Sequence, residues 1–138
     1  MARTIDIVAA LIRDPSGRVL LVRKRGTAAF MQPGGKRDVG ESDTAALSRE
    51  IEEELGVAVV PDSAAWLGQY SAPAANEPGW QVRAALYAVE VAGLVTSRAE
   101  IEEIVWADPA DPGLAHLAPL TRDHVLPLAV RLAWTEPA

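Results

Sequence analysis

The chain has 138 residues, a formal net charge of -6, and hydrophobic side chains at about half of its positions. This length fits one compact domain, 1–138, whose core needs neither disulfides nor metal to hold it together. The negative charge argues against binding to duplex nucleic acid, which requires a basic surface. Cysteine is absent, which excludes a disulfide framework, a thiolate metal site and a cysteine nucleophile.

The start of the chain shows no secretory or membrane-spanning pattern. Asp6 stands directly before a short apolar run, and the charged pair Arg13 and Asp14 follows that run. A secretory signal or a membrane span would need a longer uncharged apolar segment. We therefore expect a cytoplasmic protein that does not bind membranes.

Two apolar runs near the start predict a β-hairpin with a buried strand pair. They cover residues 5–13 and 19–22, and a Pro- and Gly-containing turn lies between them. Arg23, Lys24 and Arg25 follow at once. Two roles remain open for this basic cluster. It can protect an edge strand from wrong pairing, or it can clamp a phosphate, with Arg23 and Arg25 as candidate substrate contacts.

A loop with Pro33, Gly34 and Gly35 comes next. Glycine has no side chain and tolerates positive φ, so the backbone here can approach a metal or a phosphate closely. Lys36, just after the turn, is a candidate for contact with phosphate oxygens, and an ordinary surface position is the alternative. Phe30 is expected in the core or in the wall of a substrate pocket.

Residues 44–55 predict an α-helix. They contain neither Gly nor Pro and are rich in Ala, Leu, Glu and Arg, which favour helix formation. Ser42 or Asp43 can cap the start of this helix. Gly56 stands where a left-handed residue commonly ends one.

One side of the predicted helix is apolar and the adjacent side is acidic. Three apolar residues recur at i, i+4 and i+8 and predict a core-facing stripe: Leu47, Ile51 and Leu55. Glu50, Glu53 and Glu54 are related by i+3 and i+4, so their carboxylates share a neighbouring arc and repel one another. A solvated surface is the simple alternative. A hard divalent cation such as Mg²⁺ would also relieve the repulsion, because it binds carboxylates together with water and phosphate oxygens.

Nine residues at fixed spacing resemble the signature of the Nudix hydrolases, G-x5-E-x7-R-E-U-x-E-E-x-G-U, in which U is a bulky apolar residue. They are Gly35, Glu41, Arg49, Glu50, Ile51, Glu53, Glu54, Gly56 and Val57, and no position departs from the pattern. The resemblance implies an α/β fold with a mixed β-sheet sandwiched between α-helices. It also implies a reaction in which water attacks a phosphorus of a nucleoside diphosphate linked to a group X.

The resemblance further assigns roles to residues. Mg²⁺ is expected on Glu50 and Glu54, with Mn²⁺ as an alternative ion. Glu53 is expected as a further ligand or as the base, and the resemblance leaves open which glutamate is the base. Arg49 is expected to hold a glutamate in place. The full set of expected metal contacts is Glu50, Glu54, Glu53, the carbonyl of Gly35, and Glu41 either directly or through water.

The middle of the chain predicts three strands and one long loop. The strands cover residues 57–60, 66–70 and 81–91, and the loop 71–80 contains two prolines and a glycine. Loops of this kind carry substrate specificity when other elements do the chemistry. Asn76, Glu77 and Trp80 are therefore candidate substrate contacts, and a plain surface hairpin is the alternative.

A second acidic run precedes the last predicted strand. It resembles a segment that in Nudix hydrolases often supplies one more acidic residue to metal or water. Glu100 fits that role best and Glu103 less well, while solvated charge is the alternative for each. Thr121 is expected to cap a final helix that reaches about Leu132 and is disturbed by Pro127.

The sequence thus predicts a Mg²⁺-dependent pyrophosphohydrolase that acts on a small phosphorylated nucleotide. A nucleoside triphosphate, ordinary or oxidised, is slightly favoured because the chain is short, and nucleotide sugars and ADP-ribose stay open. The alternative is a non-hydrolytic domain that binds a nucleotide or a protein as a sensor. Lost acidic residues would favour that alternative, and none is lost. A homodimer also stays open, since no residue argues for or against it.

Overall fold

The computed structural model describes residues 3–132. In chain order the elements are β1 (Arg3–Leu11), β2 (Val19–Lys24), β3 (Phe30–Met31), β4 (Gly34–Gly35), α1 (Asp43–Leu55), β5 (Ala58–Val59), β6 (Ala65–Pro73), β7 (Trp80–Ala88), β8 (Val91–Ala92), β9 (Ile101–Ala107), a π-helical segment (Thr121–Val125) and α2 (Leu126–Leu132). None of the helices in residues 3–132 is long and apolar enough to cross a membrane.

The strands form two larger sheets and one small pair. The first sheet has the order β4-β1-β7-β6, and it is mixed because β1 and β7 run parallel while the other neighbours run antiparallel. The second sheet has the antiparallel order β3-β2-β9. Strands β5 and β8 form the small pair. The predicted strand 81–91 is therefore divided between β7 and β8.

The predicted hairpin between β1 and β2 is wrong beyond its turn. Next to the turn, Arg13 pairs with Val19, and the Leu20 N–H donates to the Ile12 carbonyl at 2.9 Å. Farther along, β1 pairs with β4 and β7, whereas β2 pairs with β3 and β9. Residues 8–12 of the first run and 19–22 of the second are buried on both faces. An apolar pattern of that kind shows that a strand is central but does not specify its neighbours.

The core lies on both sides of the central strands. On β1, Val8 and Ala10 belong to the core that α1 covers, while Ala9 and Leu11 belong to the core that α2 covers. This alternation follows from the two-residue period of an extended strand. The predicted stripe of α1 is fully buried and comprises Leu47, Ile51 and Leu55. Each such side chain contributes about 2 kcal/mol by leaving water. The sheets thus lie between two helices, as predicted.

Helix α1 ends at Leu55, as the sequence predicts, and begins at Asp43, one residue earlier than predicted. The Ser42 hydroxyl accepts a hydrogen bond from the Ala45 N–H at 3.2 Å. At the other end, Gly56 has φ 69°, and its N–H donates to the Glu52 carbonyl at 3.0 Å. A Cβ at Gly56 would lie 2.4 Å from the Arg98 Nε. This glycine therefore provides both a left-handed backbone and room for the Arg98 side chain.

The last helix begins differently from the prediction. Thr121 is not its cap, because Thr121 is fully buried and its hydroxyl donates to the Gln32 side-chain oxygen at 2.6 Å. Leu120 stands at the start of the π-helical segment, and the Leu126 N–H bonds to the Thr121 carbonyl. This wider turn lies directly before Pro127, which has no N–H to continue an α-helical ladder. The disturbance predicted at Pro127 is confirmed.

Candidate active site

A cavity of about 500 Å³ lies beside the acidic side of α1. Its lining combines two kinds of surface. Carboxylates come from Glu50, Glu53, Glu54 and Glu100. Apolar side chains come from Ile5, Ile7, Met31, Val82 and Leu120. One ligand in this cavity would therefore meet both a charged wall and an apolar wall.

The structure places nine of the predicted site residues on the cavity lining and five outside it. Those on the lining are Gly35, Lys36, Arg49, Glu50, Glu53, Glu54, Asn76, Glu77 and Glu100. Those outside the lining are Arg23, Arg25, Phe30, Glu41 and Trp80. The sequence therefore located the helix and loop contributions better than the strand contributions.

Three of the residues outside the cavity lie on β2 or β3 or directly after β2. Arg23 donates to the Glu103 carboxylate at 3.1 Å, and Phe30 is buried in the core that α2 covers. The Arg25 guanidinium donates to the Ala99 carbonyl at 3.3 Å. Of the basic cluster at residues 23–25, Lys24 is the member on the cavity lining. Alternation along a strand puts neighbouring residues on opposite faces.

Lys24 belongs to the basic cluster predicted as a possible phosphate clamp, but it was not among the two candidate substrate contacts. Val22 packs in the core that α1 covers, and residues two apart on a strand share a face. Lys24 therefore belongs on the α1 side, where the carboxylates lie. Trp80 also lies outside the cavity, and the Arg3 guanidinium is 5.4 Å from its ring centre.

Glu54 is the most deeply buried carboxylate of the site. Glu54 is only 8% exposed, and its carboxylate accepts a hydrogen bond from the Gly34 N–H at 3.1 Å. Burial, together with the charges of Glu50 and Glu100, raises the pKa of Glu54 to about 8. The Gly34 N–H and the charge of Lys24 oppose this shift only in part. A cation beside Glu54 would favour its ionised form.

Glu50 lies against the backbone of β4. Burial raises the pKa of Glu50, and Glu53 adds to this effect while the neighbouring Arg49 lowers the pKa. A Cβ at Gly35 would lie 2.7 Å from the Glu50 carboxyl group. Only glycine lets the strand and this carboxylate come so close.

Arg49 and Glu41 form a two-pronged ion pair beside the cavity. The Arg49 Nε and Nη2 donate to the two oxygens of Glu41 at 2.8 and 2.9 Å, and the Asp38 N–H adds a third bond at 2.7 Å. The Arg49 hydrogen bonds lower the pKa of Glu41 to about 2, so Glu41 stays ionised. Arg49 also reaches Glu50 at 3.4 Å. Glu41 thus holds the arginine and does not face the cavity itself.

A β-bulge determines which glutamate of the second acidic run faces the cavity. Between β2 and β9, Arg23 pairs with Glu103 but Lys24 pairs with Ile101, so Glu102 is the extra residue. The bulge shifts the alternation of β9 by one residue. As a result, Ile101 enters the core and Glu100 reaches the cavity lining. Glu103 is instead bound by Arg23.

The family of the chain follows from comparison with known proteins. The NUDIX domain model matches residues 3–129. The chain belongs to the Nudix hydrolase family. The nine-residue signature, the fold and this match agree, so the resemblance noted from the sequence is confirmed.

Two curated relatives are similar to parts of this Nudix chain. The 8-oxo-dGTP diphosphatase of Haemophilus influenzae is 39% identical over 59 residues, which cover 40% of this chain and 43% of that protein. An uncharacterized Nudix hydrolase of Streptomyces coelicolor is 36% identical over 100 residues, which cover 68% of this chain and 52% of that protein. This chain therefore spans about half the length of the curated relatives it matches.

Solved structures support the Nudix fold over nearly the whole chain. The MutT protein of Methanosarcina mazei is 27% identical with a TM-score of 0.75, and 96% of each chain is covered. A UDP-X diphosphatase has a TM-score of 0.74 at 21% identity, covering 98% of this chain and 64% of that one. At that identity the second likeness concerns the fold alone.

The carboxylates of this Nudix site fit a divalent cation, which the family generally uses. Within residues 3–132, no three His, Cys, Asp or Glu side chains are grouped so that they alone could hold a metal ion. Mg²⁺ does not need such a cage, because one or two carboxylates plus water and substrate phosphate usually suffice. Glu54 is buried and Glu50 is partly buried, and burial raises the pKa of both carboxyl groups. A hard cation bound between these two carboxylates would stabilise their ionised forms.

Proposed function

We propose that this chain is a Mg²⁺-dependent pyrophosphohydrolase that cleaves a phosphoanhydride in a nucleoside diphosphate linked to a group X. The observation that carries the proposal is the buried Glu54 carboxylate beside Glu50, at a cavity that Lys24 and Lys36 also line. Carboxylates without full compensation suit a metal, and the lysines suit phosphate oxygens. Together these groups match the charges of a polyphosphate with its counter-ion.

In this proposal Glu50 and Glu54 hold the cation, with Glu53 and the Gly35 carbonyl as further contacts. When bound, Mg²⁺ would neutralise phosphate charge and make a coordinated water more acidic. Mn²⁺ is the proposed substitute. Glu41 acts through Arg49, which it holds with two hydrogen bonds.

The side chains of the cavity divide the remaining tasks. Lys24 and Lys36 bind phosphate oxygens and fix the direction of attack. Glu53 or Glu100 accepts a proton from the attacking water, since each lines the cavity and is exposed at its surface. The P–O bond between the attacked phosphorus and the leaving phosphate then breaks. For a nucleoside triphosphate attacked at the α-phosphorus, the products are a nucleoside monophosphate and pyrophosphate.

For the group X we propose a phosphate chain, so that the substrate is a nucleoside triphosphate, ordinary or oxidised. Two similarities support this choice. One curated relative is named an 8-oxo-dGTP diphosphatase, and one structural neighbour above 25% identity is a MutT protein. Ile5, Ile7 and Val82 on the cavity lining provide an apolar surface for a nucleobase. Asn76 and Glu77 are proposed to contact the same end of the substrate.

A substrate panel tests the proposal. dGTP, 8-oxo-dGTP, UDP-glucose and ADP-ribose are each incubated with the protein and Mg²⁺, Mn²⁺ or EDTA, and the products are separated by anion-exchange chromatography. We expect monophosphate and pyrophosphate from a triphosphate with Mg²⁺ and none with EDTA. Hydrolysis of UDP-glucose or ADP-ribose alone would reject the triphosphate proposal. Tight binding of a nucleotide without any turnover would reject hydrolysis and indicate the sensor.

Two further expectations remain predictions, and one possibility stays open. They are the single domain over 1–138, the cytoplasmic location and the homodimer. Size-exclusion chromatography with light scattering determines the oligomeric state directly. A mass of one chain would reject the homodimer.

A further inference from the structure

The residue before Glu100 adopts an unusual backbone conformation. Ala99 has φ 53°, in the left-handed region, and it lines the cavity together with Glu100. Residues other than glycine rarely adopt this conformation because the Cβ atom crowds the backbone. A strained residue at a functional cavity persists only when its surroundings hold it there.

One side of the turn is held by the end of α1. The Ile101 N–H donates to the Arg98 carbonyl at 3.0 Å and closes the turn. The Arg98 N–H donates to the Glu54 carbonyl at 2.9 Å. This bond satisfies a carbonyl in the last turn of α1, which has no partner within the helix. The turn that presents Glu100 is thereby attached to the residue that carries the most buried carboxylate.

The other side of the turn is held by Arg25. Its backbone N–H donates to the Glu100 carbonyl at 2.8 Å, and its guanidinium donates to the Ala99 carbonyl at 3.3 Å. Arg25 itself is exposed and does not line the cavity. Its side chain therefore contacts the strained residue, while any ligand in the cavity would meet Glu100.

We propose that the turn from Arg98 to Ile101 is a preformed holder for Glu100, in which Arg25 is the positioning residue that keeps Ala99 left-handed. The inference rests on the function proposed above, because it gives Glu100 a task in that reaction. Arg25 acts through Glu100 and touches neither substrate nor metal. The bulge at Glu102 contributes to the same holder, because it interrupts the regular pairing of β9 with β2 directly after the turn.

A double-mutant cycle separates positioning from a general structural effect. Arg25→Ala, Glu100→Gln and the double variant are assayed with dGTP and Mg²⁺. We expect Arg25→Ala to lower kcat roughly 5-fold, the rate equivalent of one hydrogen bond, with little change in KM. In the Glu100→Gln background the same substitution should have no further effect. An equal loss in both backgrounds, or no loss in the parent, overturns the proposal.

Amide hydrogen exchange gives a readout that does not need activity. In the metal-free protein, we expect Arg25→Ala to speed exchange at the Ile101 N–H by roughly 5-fold, because the turn opens more often. Arg18→Ala is the matched control, since Arg18 is an exposed arginine at the opposite end of β2. Unchanged exchange at Ile101 overturns the proposal. If dGTP is not hydrolysed at all, the proposed function fails, but exchange still decides whether Arg25 holds the turn.

Substitutions at Ala99 provide an independent test. Glycine adopts the left-handed conformation without strain, whereas a β-branched residue resists it. We expect Ala99→Gly to retain kcat within about 2-fold, and Ala99→Val to lower kcat by roughly 10-fold because Glu100 is displaced. A change in KM alone does not count, since Ala99 lines the cavity. Equal kcat values for the two variants overturn the proposal.

Discussion

The chain carries two runs of glutamates, and the backbone brings the side chains of one run together and separates those of the other. The first run is the acidic side of α1, Glu50, Glu53 and Glu54, to which the exposed Glu52 does not belong. The second run is Glu100, Glu102 and Glu103 around the start of β9. All three carboxylates of the first run line the cavity, whereas only Glu100 of the second run does. A helix brings residues three and four apart to one side, while an extended strand sends neighbours to opposite sides.

Burial distinguishes the most enclosed carboxylate of the first run from the solvated charges of the second. Burial raises the pKa of Glu54 to about 8. Glu103 has a side chain that is half exposed and pairs with Arg23, and exposed pairs of this kind contribute little to stability. Both runs have similar composition, so only their environment separates them.

Replacing the most buried carboxylate should have the largest effect on activity. Glu54→Gln keeps the shape of the side chain but removes its charge, and we expect turnover to fall by at least about 100-fold. Circular dichroism should show an intact fold. Glu52→Gln is the matched control, because Glu52 lies on the same helix but is exposed and away from the cavity. Near-normal turnover of the Glu54 variant would refute the proposed metal ligand.

The same carboxylate should make stability depend on pH in the metal-free protein. The pKa of Glu54 is about 8 when folded, against 4.5 for the ordinary side chain. A raised pKa means that the stabilising contribution is complete below about pH 4.5 and is lost as pH rises through about 8. The difference between 4.5 and about 8 corresponds to a loss on the order of 5 kcal/mol in the free energy of unfolding.

Urea unfolding in EDTA at several pH values between 5 and 9 measures that dependence. Glu54→Gln should remove most of the decline, because glutamine does not ionise. Glu52→Gln should retain it. A parent protein whose stability does not fall over this range would show that Glu54 is not buried as described.

Changing the contact between Gly56, at the end of α1, and Arg98, in the turn before β9, should have the next largest effect, on stability. In Gly56→Ala the new Cβ meets Arg98 and the residue must keep φ 69°, so we expect a loss of about 2 kcal/mol. Gly40→Ala is the control, since Gly40 has φ 81° but nothing within 4 Å of its Cβ, and it should lose about 1 kcal/mol. Equal losses, measured by urea unfolding, would mean that packing against Arg98 is unimportant.

The smallest expected effects distinguish the members of the second run. Glu100→Gln should lower kcat by roughly 10-fold, as expected for a group that assists proton transfer from the edge of the site. Glu103→Gln should leave kcat unchanged and cost no more than about 1 kcal/mol of stability, because it only breaks the pair with Arg23. If Glu103→Gln lowered kcat for dGTP more than Glu100→Gln did, Glu103 and not Glu100 would belong to the site.

Local rules account for what the sequence predicted well. The period of α1, its cap at Ser42 and the glycine at its end depend on residues close together in the chain. The same period brings the three glutamates of the first run to one wall of the cavity. The family signature covers this segment as well, so two lines of reasoning converge on it.

Strand pairing accounts for what the sequence did not predict. Whether Arg23 or Lys24 faces the cavity depends on which face of β2 packs against α1, and the sequence does not show this because both faces of β2 are apolar and buried. The bulge at Glu102 adds a shift that no local pattern reveals. The ion pair of Arg49 with Glu41 was missed for a similar reason, since it depends on how the loop before α1 folds back.

Strand β1 also constrains how this protein can evolve. Five consecutive residues, 8–12, are at most 1% exposed, so neither face offers a position where a polar replacement would be harmless. Strand β6 is the opposite case, because Ala72 is its one buried residue. Randomised libraries should therefore yield few folded clones from residues 8–12 and many from β6. Natural sequence variation should likewise be low at residues 8–12 and high in β6.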